Sequence, residues 1–124
     1  MEETFIKPET AKLAKLKGFD WPVHHYYQGE HAEVQICVPV YNRNHFKNLY
    51  SAPTQSLLQK WIREKHGINV LVYTDDTLSF FWQIQSAHPA ASYLGNTLYS
   101  NNVWCGNYED CLEDGLLTIL KLIP

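Results

Sequence analysis

SAPTQSLLQKWIREKHG, residues 51–67, is the stretch on which the fold turns. Ser51 is placed to accept a hydrogen bond from an open amide of a first helical turn, and Pro53 sits where a missing N–H costs nothing. Leu57, Leu58, Trp61 and Ile62 then recur at helical spacing and form one apolar stripe. Lys65 and His66 fall where the negative end of a helix dipole favours cations, and Gly67 can adopt the left-handed conformation that closes a helix. The spacing predicts a helix over 51–66.

Downstream, Ile68, Val70 and Val72 alternate with Asn69, Leu71 and Tyr73, which predicts a strand over 68–74. Asp75-Asp76 makes a turn into a second strand over 78–85, with Leu78, Phe80, Trp82 and Ile84 on its inner face. Residues 86–106 read as loop with a short strand near 97–99. Asn107 is a helix cap, and Tyr108, Cys111, Leu112, Gly115, Leu116, Ile119, Leu120 and Ile123 form the last stripe. Glu109, Asp110, Glu113 and Asp114 read as its solvated, dipole-matched start. Gly115 costs about 1 kcal/mol of helix propensity, which predicts close approach of a neighbouring element.

Upstream, 8–17 reads as a helix ended by Gly18, with Lys12 and Lys15 on its solvated side. A strand over 23–27, a turn at Gln28-Gly29-Glu30 and a strand over 32–40 make a first hairpin. Val34, Ile36, Val38 and Val40 face its buried side, and Pro39 marks an edge. Residues 41–50 read as loop. The order α-β-β-α-β-β-α predicts one α+β domain over 1–124: a mainly antiparallel sheet of four or five strands with helices on one face. Its expected core is Val34, Ile36, Val38, Leu58, Trp61, Ile62, Val70, Val72, Phe80, Trp82, Leu112, Leu116, Ile119 and Leu120.

Composition narrows the function classes. The chain has 124 residues, 10 basic against 13 acidic, and a net charge of −3, which does not favour a nucleic-acid footprint. Neither a membrane-spanning run nor a secretory signal appears. The three cysteines, Cys37, Cys105 and Cys111, lack paired spacing, so a reducing cytoplasm is expected.

The blocks ETAKLAKLKGFD, SAPTQSLLQKWIREKHGINVLV and YEDCLEDGLLTILKLI, in that order and over less than half the chain, resemble a family of small proteins of Bacteroides-type bacteria, their phages and integrated elements. The family has no assigned activity. The resemblance implies a phage-related, cytoplasmic setting and transfers no functional residue.

Three readings of function compete. His24, His25, Glu30 and His31 offer imidazole and carboxylate ligands for a metal-dependent enzyme, but on a regular strand His24 and His25 point to opposite faces. The outer face of the 51–66 helix offers Gln55, Gln59, Lys60 and Arg63, residue types that read DNA base edges. No nucleophile motif, glycine-rich phosphate loop or metal signature is present, so no catalytic or cofactor-binding residue is assigned. The aromatics Tyr26, Tyr27, Tyr41, Phe46 and Tyr50 and the edge-like first hairpin point instead to protein binding or self-association. The expectation is a non-catalytic macromolecule-binding protein with a partner surface at Gln59, Lys60, Arg63, Tyr26 and Tyr27.

Overall fold

A computed structural model describes residues 4–30, 33–42, 44, 46–74, 79–86, 99–100 and 105–124. In chain order the elements are α1 (Pro8–Leu16), β1 (Val23–Gln28), β2 (Gln35–Tyr41), β3 (Leu49–Ser51), α2 (Gln55–His66), β4 (Ile68–Thr74), β5 (Phe80–Ser86), β6 (Tyr99–Ser100) and α3 (Tyr108–Leu122). The class is α+β and all strand pairing is antiparallel. The strands divide into two three-stranded sheets, ordered β2-β1-β3 and β4-β5-β6, rather than one sheet of four or five. One hydrophobic core draws residues from all three helices and from both sheets.

The helix stripes bury as their spacing requires. Leu58, Trp61 and Ile62 of α2 are buried, and so are Cys111, Leu112, Leu116, Ile119 and Leu120 of α3. The face of β4 and β5 carrying Ile68, Val70, Trp82 and Ile84 is buried too, and Val72 and Phe80 pack against the core. Gly115 answers the question that its sequence position raises. A Cβ there would lie 3.0 Å from Val70 Cγ1 and 3.2 Å from Trp82 Cβ, so only glycine lets α3 approach β4 and β5 this closely. Gly67 closes α2 at φ +67°, with its N–H on the Arg63 carbonyl.

Several expectations are corrected. The cap of α2 is Thr54, whose hydroxyl accepts from Leu57 N at 3.3 Å. Ser51 ends β3 instead, paired with Tyr26 of β1, and 41–50 is therefore not all loop. Ile36 is 69% exposed rather than core, because β2 lies at the sheet edge beyond the helices' cover. The side chains of Val38 and Val40, the Asp75-Asp76 turn and most of 86–106 lie outside the described residues. Tyr108 is exposed at the start of α3, its ring edge-on to Phe80. Lys15 is not merely solvated, since its ammonium donates to the carbonyls of Phe46, Lys47 and Leu49 and pins the turn into β3.

Candidate functional site

An open groove of about 1180 Å³ lies between the start of β1 and the first turns of α2. Phe5, Pro22, Val23, Ala52, Pro53 and Leu57 give it an apolar lining. His24, His25, Lys60 and Arg63 add the titratable groups, and among the described residues no aspartate or glutamate lines it.

Backbone pairing fixes these walls. Residues 4–6 lie along the entry to α2: Ile6 N donates to the Pro53 carbonyl at 3.1 Å and Gln55 N to the Thr4 carbonyl at 2.7 Å. Ala52 N donates to the His25 carbonyl at 2.9 Å, which ties the groove's two sides together. The β1–β2 register shifts between Val23 and His25, with the extra residues on β2. His24 and His25 both line the groove, with ring centroids 6.4 Å apart. The Phe5 ring lies 4.3 Å from that of His25. Burial, and secondarily His24, pushes the His25 imidazole below its ordinary value of 6.5.

The expected partner surface is only partly assembled. Gln59, Lys60 and Arg63 all line the groove. Gln59 is committed inward, its amide donating to the Val70 carbonyl of β4 at 2.5 Å. Tyr27 is removed from the surface altogether. It is 5% exposed, and its hydroxyl donates to the Ile6 carbonyl at 2.6 Å. Burial, and then the neighbouring Glu113, pushes its phenol above the ordinary range. Tyr26 is half-buried on β1 and does not line the groove. Tyr50 is half-buried under the ammonium groups of Lys12 and Lys15, and Phe46 remains exposed.

The described members of the proposed metal set form no three-ligand group. Glu30 is held by Lys12 at 3.3 Å, and His31 lies outside the described residues. Cys111 is core. Burial, reinforced by a hydrogen bond with Cys105, pushes its thiol up to about 12, the wrong direction for a nucleophile.

One polar cluster was invisible in the sequence. Glu113, read as solvated, is 6% exposed and accepts hydrogen bonds from Lys7 N at 3.0 Å, from the Thr10 hydroxyl and from the Gln55 amide at 3.0 Å. Gln55, expected on the exposed face of α2, is buried by this contact and also donates to the Glu109 carbonyl. Lys7 caps α1 without a side-chain bond, so the Glu113 carboxyl supplies the acceptor that the helix start lacks. Every hydrogen bond here is internal, and the cluster reads as architecture.

No helix among the described residues is long and apolar enough to cross a membrane. No protein-family model matches the chain, and comparison with curated proteins and with solved structures finds no similar protein.

Proposed function

We propose that this chain is a non-catalytic binding protein that holds a macromolecular partner in the groove between β1 and α2. The observation that carries this reading is one rigidly paired surface combining an apolar lining with two exposed cations, Lys60 and Arg63. Apolar area supplies affinity and charges placed around it supply orientation and on-rate. A phage-related, cytoplasmic setting, implied by the resemblance of its sequence blocks, accords with a small protein that acts by contact.

A benzophenone amino acid in place of the exposed Ser56, which lines the groove, tests the proposal in the cells that carry the gene. Irradiation is expected to give a discrete adduct from this position and none from the same probe replacing Lys121 on α3. Identical adducts at both positions, or none at either, would remove the groove as the working surface.

Self-association is a second reading, carried by Ile36, which stands exposed on the edge strand β2. Light scattering over a dilution series is expected to show a concentration-dependent dimer that Ile36→Lys abolishes. A monomer at every concentration rejects it.

A further inference from the structure

Resting on the binding role just described, we infer that the groove's ligand is an extended peptide segment in which acidic side chains flank a bulky apolar one. Size argues first. At about 1180 Å³ the open groove exceeds the roughly 300–1,000 Å³ typical of sites that enclose small molecules.

Charge argues second. The chain carries 13 acidic residues against 10 basic, yet among the described residues this surface collects two permanent cations and no carboxylate. Among the described residues, neither Lys60 nor Arg63 has an ion-pair partner within the chain. An acidic ligand would therefore meet two cations that no described carboxylate already pairs. Arg63 can hold a carboxylate through two parallel hydrogen bonds, while Lys60 acts as a point charge.

Lining chemistry argues third, and it separates peptide from nucleic acid. Phe5, Val23 and Leu57 are suited to an apolar side chain, whereas a phosphate backbone requires a series of cations along its track. Preorganisation argues fourth. The bonds joining 4–6 to 53–55, and Ala52 to His25, hold both walls before any ligand arrives, which lowers the ordering cost of association.

A random peptide library displayed on phage and panned against the immobilised full chain tests this. Enriched peptides should be net negative around an aromatic or branched residue. Their capture should fall roughly tenfold or more on the double variant Lys60→Glu/Arg63→Glu, as expected when close charge pairs are reversed. Both residues are exposed, and a matched thermal melt checks that the variant stays folded. Ser56→Trp, which obstructs the groove without changing its charge, should abolish capture as well. Neutral or basic peptides that Ser56→Trp still blocks would overturn the acidic assignment while leaving the groove as the binding surface. Peptides indifferent to Ser56→Trp, or no enrichment at all, would overturn both. A labelled DNA duplex retained through Lys60 and Arg63 in a salt-dependent manner, in place of peptides, would overturn the peptide in favour of nucleic acid.

Discussion

Helix α3 meets the two halves of the molecule by opposite means. Toward β4 and β5 it presents Gly115, and the contact is close apolar packing against Val70 and Trp82. Two residues earlier it presents Glu113 toward α1 and α2, and that contact is a buried carboxyl surrounded by donors. The first arrangement is tolerant in chemistry and strict in volume. The second is tolerant in volume and strict in hydrogen bonding, because each donor left unpaired in the interior carries its full desolvation cost.

The largest effect should come from Glu113→Ala, which strips the acceptor from Lys7 N, Thr10 and Gln55 together. A loss of about 3 kcal/mol is expected in urea unfolding, with Glu113→Gln intermediate because it retains one carbonyl oxygen. Equal losses for the two variants would show that packing, not acceptance, matters at this position. Gly115→Val should cost about 2 kcal/mol by overpacking, and pairing it with Val70→Ala should recover part of that loss. Failure to recover any would separate Gly115 from the β4 contact.

Smaller effects belong to the ends of α2. Thr54→Ala should cost about 1 kcal/mol through the lost cap, whereas Ser51→Ala should act through β3 and leave α2 helicity unchanged by circular dichroism. At the other end His66 packs edge-on to Trp61, and burial, followed by Lys65, pushes its imidazole down from 6.5. His25 shifts in the same direction. A depressed imidazole stays neutral in the folded chain while the unfolded chain takes up a proton. Stability should accordingly hold above pH 6.5 and fall progressively below it, and His66→Gln should reduce that fall in urea titrations repeated across pH. A midpoint independent of pH across that range would remove His66 and His25 as the cause.

The same contrast explains what could be read from the sequence. Strand β4 and helix α3 were predicted nearly to the residue, since alternation and the 3.6-residue stripe are local signals sufficient to place them. Even the Gly115 contact was foreseeable, because a glycine on a buried stripe is unfavourable without a close neighbour. Glu113 was misread because its sequence neighbours Glu109, Asp110 and Asp114 are exposed, while Lys7 and Thr10 lie 106 and 103 residues away. Ser51 and Thr54 are both competent caps, and the choice between them was settled by β3 pairing with β1, which no local pattern encodes. The groove itself depends on long-range pairing of 4–6 with 53–55 and of Ala52 with His25. Lys60 and Arg63 were identifiable as a surface; His24, His25 and the apolar lining beside them were not.

The most direct test of the central claim combines the groove probe with charge reversal. The yield of the cross-linked adduct from the benzophenone residue in place of Ser56 should be measured in the otherwise native chain and in the chain carrying Lys60→Glu and Arg63→Glu. The adduct should form in the first and disappear from the second, with matched thermal melts. An adduct that persists unchanged after charge reversal would contradict a partner held by Lys60 and Arg63 in this groove.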